Sequence, residues 1–478
     1  MHTHRSLTRL VAAALLALAS TPAFAVVERS NTGIGGALVV PYWTVNAGND
    51  SLISIHNEGL RPVAVKVRTL GENGEIERVF SLYLDPMDTW VGAYTKIFTF
   101  GVELVDFINN DTSCYIDGFS TTTTTAEAAT RGGKLSPPPP VPAFFGAMEI
   151  IAMGHPAVAS DLLTDDGTWI DCDALVERFE TGPWSSDAKA GLDAPTDAIS
   201  ASVSLIDVEG GGMQAIPGVA LRGFSDVPLH SGPNDVQPDL LSAVDEGVDG
   251  TRSRVCIGGE CTVHEWNLAS EAVAAALSVS KLRGSFSVAE ASNGQTELIL
   301  YRPLKAYEMQ PDGVEIEPLG QISLRDRRGR LITFAGPIIT PPGGSPPYQA
   351  VQPFGAPAPV FQGFAFGAPP DLYLEEYDTP IVGHPITVRL TANFFANPDN
   401  PMDNRHLTGT FEVEYDALDA GATFLTAPDG TRYTGEPVLG VLIQQFTNGT
   451  LDFGEGPVLS NYRSSEPVRR SVRLEAPD

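Results

Sequence analysis

Residues 63–84 read VAVKVRTLGENGEIERVFSLYL, and the spacing within them decides the fold class. Val63, Val65 and Val67 alternate with Ala64, Lys66 and Arg68, the two-residue period of a strand with one face toward a core and one toward water. Glu72-Asn73-Gly74-Glu75 follows, and Asn-Gly accepts the backbone of a tight hairpin turn, so IERVFSLYL (76–84) is expected to return antiparallel. On this reading the valines are buried and Lys66 and Arg68 face solvent. Val65→Asp should then be severe, whereas Lys66→Asp should stay within about 0.5 kcal/mol.

Working outward, ALVVPYWTV (37–45) and SLISIHN (51–57) precede the hairpin on the short polar link NAGND (46–50). Four successive strands on short links imply an antiparallel sandwich. In the middle of the chain, DALVERF (173–179) places Leu175 and Phe179 on one helical face with Gly182 as a stop, and Asn267 is placed to cap a second helix through EAVAAAL (271–277). ISASVSLIDV (199–208), GSFSVAE (284–290) and QTELILY (295–301) read as strands, the last two joined through Asn293-Gly294. Later, PITVRLTANFF (385–395) sets Ile386, Val388, Leu390, Ala392 and Phe394 on one face, and TFEVEYD (410–416) and VLGVLIQQF (438–446) complete a second β unit. The expected class is mainly β: antiparallel sandwich-like units with two short helices in the middle region.

Composition shifts suggest the divisions. Ser120–Pro142 holds a threonine run, then Arg131-Gly132-Gly133, then Pro137–Pro140, the make-up of an exposed semi-rigid linker. Residues 336–371 are rich in Pro, Gly, Ala and Phe, and Phe354, Phe361, Phe364 and Phe366 suit a segment packed in extended form along a surface. The expected organisation is 1–25 leader, 26–131 N-terminal β-sandwich-like domain, 132–142 linker, 143–335 mixed β domain with short helices, 336–371 extended segment and 372–478 C-terminal β unit. No repeat of fixed period is visible.

The leader carries Arg5 and Arg9, then LVAAALLALA (10–19), then Thr21-Pro22-Ala23-Phe24-Ala25. A basic start, a short apolar run and a small-x-small site read as a Sec-type signal peptide cut after Ala25, because ten apolar residues fall short of the roughly 20 that span a bilayer. The mature chain is expected in the periplasm or outside the cell, with no transmembrane segment. An outer-membrane barrel, whose strands hydropathy misses, fits poorly with the long Pro-rich stretches.

Removing Arg5 and Arg9 leaves 28 basic against 59 acidic residues, a net charge of −31. Phosphate backbones and anionic lipids would repel such a chain, so nucleic acid is excluded as a partner. Glycine and proline, 85 of 478 residues, fit many turns between short strands. Four cysteines in an oxidising compartment favour disulfides, and of three connectivities the preferred one joins Cys256 to Cys261, across the turn Ile257-Gly258-Gly259-Glu260, and Cys114 to Cys172. Zinc competes weakly, because C-x4-C lacks a second close pair.

Motifs for chemistry are sparse. G-x-S-x-G, Walker and dinucleotide glycine patterns are missing, and no cofactor is indicated. His264-Glu265-Trp266-Asn267-Leu268 opens like H-E-x-x-H but lacks the second histidine. His56, His155, His230, His264, His384 and His406 read as surface or satisfied polar groups. The calcium candidates are Asp399-Asn400 with Asp403-Asn404, and Asp165-Asp166-Gly167 with Asp171 and Asp173; neither follows the D-x-D-x-D-G order. Glu412, Glu414 and Asp416 share a strand face, with Glu375 and Glu376 near in sequence, and paired carboxylates serve glycosidases. Of Trp43, Trp90, Trp169, Trp184 and Trp266, the first two sit in apolar strands as core anchors, leaving the others as candidates for a sugar platform.

Three stretches, GALVVPYWTVNAGNDSLISIHNEGLRPVAVKVR (36–68) with FSLYLDPMDTWVGAYT (80–95), GPWSSDAKAGLDAPTDAISASVSLIDV (182–208) and PVLGVLIQQFTNG (437–449), resemble a family of exported Gram-negative bacterial proteins with no established activity. The resemblance implies export and a β fold and transfers no site. The expected function is a non-enzymatic envelope or extracellular protein that acts by binding or assembly, its partner an envelope protein or a glycan. The alternative is a carbohydrate-binding module or polysaccharide-active enzyme that uses tryptophans and paired carboxylates, and two carboxylates converging with an exposed tryptophan in one cleft would favour it.

Overall fold

The computed structural model describes residues 25–71, 74–99, 101–120, 143–158, 160–289, 295–307, 318–326, 331–339, 348–351, 377–378, 385–386, 406–415, 423–452, 457–466 and 468–477. The chain is mainly β, with strands β1 (Val26–Arg29), β2 (Ala37–Thr44), β3 (Asn49–Asn57), β4 (Val63–Leu70), β5 (Ile76–Leu84), β6 (Thr89–Thr99), β7 (Val102–Asn109), β8 (Cys114–Ser120) and β9 (Phe145–Pro156). Next come helix α1 (Cys172–Glu180), then β10 (Leu192–Asp193), β11 (Ile199–Asp207), β12 (Gly212–Pro217), β13 (Val219–Arg222), β14 (Thr251–Ile257), β15 (Glu260–Trp266) and helix α2 (Ala269–Leu277).

Two sheets form a sandwich. One has ten strands in the order β15-β14-β1-β13-β2-β9-β4-β5-β8, with β10 paired to β9; the other has the order β12-β11-β3-β6-β7. All pairings here are antiparallel except β1 with β14. The hairpin of β4 and β5 forms as expected, with Val65 opposite Leu82 and Val67 opposite Phe80. Those side chains join Ile53, Ile55, Trp90, Tyr94, Val203 and Leu205 of the facing sheet in one buried core. Trp43 stacks on Tyr94 at 4.6 Å between ring centroids, which bridges the sheets with an aromatic pair.

The expected wet face of β4 is corrected. Lys66 is fully buried and Arg68 is 4 % exposed, because β4 lies inside the larger sheet between β5 and β9, and both faces of the sheet are covered at these strands. On the outer face Ala64, Tyr83 and Met153 pack with Leu162, Trp169, Leu175 and Trp184 from the chain between β9 and β11, a second core. Alternation marks which residues share a face; it does not say that the second face meets water.

Both expected disulfides are present. Cys256 and Cys261 are directly opposite across β14 and β15, and Cys114 of β8 is bonded to Cys172, the first residue of α1. The second bond holds α1 against the outer face. Asp171 caps α1 through its side chain, accepting from the Ala174 amide at 2.9 Å. Asn267 does not cap α2: Leu268 holds that position, and its amide donates to the Glu271 carboxylate at 3.0 Å. That carboxylate reaches back from the first turn, so no side chain is needed at 267.

Residues 132–142, expected as a linker, lie outside the described residues. The strand that follows them, β9, is hydrogen-bonded between β2 and β4, so chain from both sides of that stretch shares one sheet. Further on, strands 281–289 and 295–301 fall in different sheets rather than forming a hairpin: the first pairs with 406–414 and the second with 439–452. Their pairing partners come from the C-terminal stretch, so the middle and C-terminal regions interleave. Phe354, Phe361, Phe364 and Phe366, and the face expected from Val388 to Phe394, lie outside the described residues.

Candidate functional site

The densest group of ionisable side chains sits on the outer face of the ten-stranded sheet. Arg68 of β4 and Glu149 of β9 are register partners, so the strands themselves set guanidinium and carboxylate together. Tyr307, at the end of the short 3-10 turn Pro303–Tyr307, donates its hydroxyl to Glu149 at 2.6 Å and accepts from the Leu240 amide at 3.1 Å and from Arg68 Nη1 at 2.9 Å. Asp239 approaches Arg68 at 3.8 Å. Burial pushes the Glu149 carboxyl up, with Arg68 opposing. Burial alone would lower the Arg68 guanidinium; Glu149, Tyr307 and Asp239 outweigh it and hold it above its ordinary value. Burial and the neighbouring Glu149 drive the Tyr307 phenol upward as well, so it remains a donor.

A second group lies two residues along the same strand. Lys66 Nζ donates to the Gly232 carbonyl at 2.8 Å, and burial pushes its pKa down to about 8 against the pull of Asp235. His230 Nδ1 donates to the Ala188 carbonyl at 2.5 Å, which leaves Nε2 to accept from the Tyr83 hydroxyl at 2.8 Å. Burial lowers His230 to about 4, so it is neutral, and raises the Tyr83 phenol well above its ordinary value. The strap from Phe224 to Asp245 lies over these groups, with the Leu229 amide bound to the Met153 carbonyl at 2.7 Å and Leu240 fully buried.

A lysine, a histidine and a tyrosine with displaced pKa values are the groups a proton-transfer site uses. Here each faces a fixed protein partner beneath the strap. Lys66 and Tyr83 bond the strap through Gly232 and His230, and Arg68 and Glu149 bond the turn at 303–307 through Tyr307; charge-assisted bonds contribute about 1.5–3 kcal/mol each.

The residues expected from sequence to carry a site do not converge. Asp399, Asp403, Glu375, Glu376 and Asp416 lie outside the described residues. Glu412 and Glu414 are cross-strand partners of Arg283 and Lys281 and form ion pairs with them. Asp165 and Asp166 are exposed in the turn from Thr164 to Thr168, while Asp171 is the cap of α1. Among the described residues no group of three or more His, Cys, Asp or Glu side chains is placed to hold a metal ion. All five tryptophans are buried, so none offers a sugar platform. His155 bonds the Pro62 carbonyl at 2.7 Å and Thr196 Oγ1 at 2.8 Å, and His56 bonds Thr89 at 2.8 Å; both are satisfied polar groups, as expected.

What sequence reading passed over is the outward face of the five-stranded sheet. Register and burial fix it on every strand: Leu52 and Ser54 on β3, Val91, Ala93 and Ile97 on β6, Leu104 and Ile108 on β7, Ser202 and Ser204 on β11, Met213 and Ala215 on β12. These positions are half-buried or exposed, whereas their sequence neighbours Ile53, Ile55, Trp90, Tyr94, Val203 and Leu205 are buried. The acids on this face are Asp50 of β3, which accepts a hydrogen bond from Thr95 at 2.6 Å, Asp106 of the edge strand β7 and, at the opposite end, Glu58, which accepts from Ser200 Oγ at 2.6 Å. β7 ends the sheet, and Val102 and Ile108 are 53 % and 40 % exposed along it. Among the described residues this face carries few charges for a chain of net charge −29, and its side chains are a mixture of apolar and hydroxyl groups. The signal was present in SLISIHN, TWVGAYT and ISASVSLID, where the residues between the core positions are Ser, Leu, Val and Ala rather than Lys or Glu.

Among the described residues no helix is long and apolar enough to cross a membrane. No protein-family model, curated protein or solved structure matches the chain.

Proposed function

We propose that this is an exported protein of the bacterial envelope or its surroundings that acts by binding or assembly rather than catalysis, through the outward face of the five-stranded sheet. The observation that carries the reading is the contrast between the two sheets. The larger sheet carries its buried charged groups beneath covering chain, while among the described residues the smaller leaves one face open, with its acids, Asp50, Asp106 and Glu58, toward the two ends. Two disulfides fit an oxidising compartment, and β1 begins at Val26, the residue that follows the expected cleavage site. The resemblance of residues 36–68 and 182–208 to exported proteins agrees with this location.

A photo-crosslinking residue introduced at Ala93 in the producing cells tests the reading, with one at Val208, exposed in the turn after β11, as control. Discrete adducts from Ala93 and none from Val208 are expected. Adducts from Val208 alone would assign binding to another surface.

A further inference from the structure

Resting on that reading, we infer that the occupant of the open face is a second copy of this chain, packed sheet on sheet about a two-fold axis. The charge of the molecule restricts what can meet it. At a net charge of −29, two copies repel over most of their surfaces, and close approach is least opposed where acids are few. Ser54, Ala93 and Ser202 lie near the middle of such a region, on the three central strands β3, β6 and β11. A two-fold pairing sets this face against itself, so each partner meets a neutral surface, and a patch of apolar and hydroxyl side chains is self-complementary in that arrangement.

The area is of the order that a dimer needs. Five strands spaced about 4.8 Å apart, with about seven residues each at about 3.4 Å, cover roughly 600 Å² in projection before side-chain relief. Each partner in a standard interface buries about 800 Å² of accessible surface. Packing between two sheets needs small and β-branched residues so that the faces settle about 10 Å apart, and Ser, Ala, Val, Ile and Leu on this face meet that need. Asp50 and Asp106 lie toward the end of the sheet where β6 turns into β7, and Glu58 lies beside Ser200 at the other, so Ser54, Ala93 and Ser202 occupy the uncharged stretch between the acids.

Sedimentation equilibrium of the mature chain over a range of concentrations tests the inference. A mass shifting from one copy toward two is expected, with a dissociation constant that falls as sodium chloride is raised, because salt screens the repulsion between the acidic bodies. Ala93→Glu and Ser202→Glu should each weaken the dimer at least about tenfold, since each buries a carboxylate in the uncharged middle of the interface, while the melting of the dilute monomer stays as in wild type. Because the native cysteines are all in disulfides, Ser54→Cys supplies a lone thiol, and a short bismaleimide should then give a covalent dimer that an otherwise identical Val208→Cys variant does not. A single-copy mass at every concentration and salt, or a dimer equally tight in both glutamate variants, would overturn the inference. The outcome separates from that of the broader reading: a strictly monomeric protein whose Ala93 still crosslinks to a different protein in cells refutes self-association and keeps binding, and the loss of both refutes both.

Discussion

Replacing Lys66 separates the structure from the simplest reading of the sequence. Its ammonium is buried and bonded to the Gly232 carbonyl, with a pKa pushed from 10.5 down to about 8. The folded state therefore disfavours the charged amine by up to about 3 kcal/mol, at about 1.4 kcal/mol per unit. The sign follows from proton binding. Between about pH 8 and the unfolded value of 10.5, the unfolded chain holds a proton that the folded chain has released, so stability rises with pH across that window. Lys66→Met removes the titrating group and its desolvation cost, while leaving the Gly232 carbonyl without its donor at a cost of about 1–2 kcal/mol. We expect Lys66→Met to be neutral to stabilising by about 1–2 kcal/mol at pH 7, with an advantage over wild type that shrinks between pH 8 and 9.5. Lys66→Asp places a desolvated carboxylate beside Asp235 and should cost about 3–5 kcal/mol. Urea titrations at four pH values measure all three proteins. If Lys66→Asp lies within about 0.5 kcal/mol of wild type and Lys66→Met shows no pH trend, the lysine faces water and the strap is misplaced.

Tyr307→Phe should destabilise by about 2–3 kcal/mol, because it removes one donor from the buried Glu149 carboxylate, which keeps Arg68, and leaves the Leu240 amide without its acceptor; chemical denaturation reads this, and an effect under 0.5 kcal/mol would mean that the turn at 303–307 is not docked on the sheet. Replacing Cys114 and Cys172 together by serine should cost about 4 kcal/mol, against about 2 kcal/mol for Cys256 and Cys261, since the two bonds join residues 58 and 5 apart; equal losses in thermal melts would contradict the loop-length argument. The tryptophan emission of the native protein should be blue-shifted and protected from iodide until the chain unfolds, and free quenching of the native state would show that an indole is exposed.

Much of the framework was legible in the residues. Period-two runs placed β3, β4, β5 and β11, the glycine turn between Cys256 and Cys261 placed a disulfide hairpin, and Leu175 and Phe179 with the stop at Gly182 marked α1. What alternation cannot carry is the environment of a strand's second face. Lys66 and Arg68 read as wet because charge on a strand usually is, and they are buried because chain from 224 to 245 and from 303 to 307 covers β4, a contact between segments more than 150 residues apart. Long-range pairing also hid the partners of 281–289 and 295–301, where Asn293-Gly294 suggested a local hairpin. The open face went unread for the opposite reason: Ser54, Ala93 and Ser202 are individually unremarked residues, and they become a surface only when register sets three strands side by side.

The central claim is that the larger sheet is closed on both faces at β4, β5 and β9, and that among the described residues the smaller is open on one. Single-thiol labelling tests it most directly, because the native chain has no free cysteine to compete. Ser81→Cys lies opposite Lys66 on the covered face, at 0 % exposure, and Ser202→Cys lies on the open face. In dilute, non-denaturing buffer the thiol at 202 should react with maleimide at close to the rate of an unfolded peptide, and the thiol at 81 should react only as fast as the protein unfolds. Equal rapid labelling at both positions, or protection of 202 in the dilute monomer, would contradict the account.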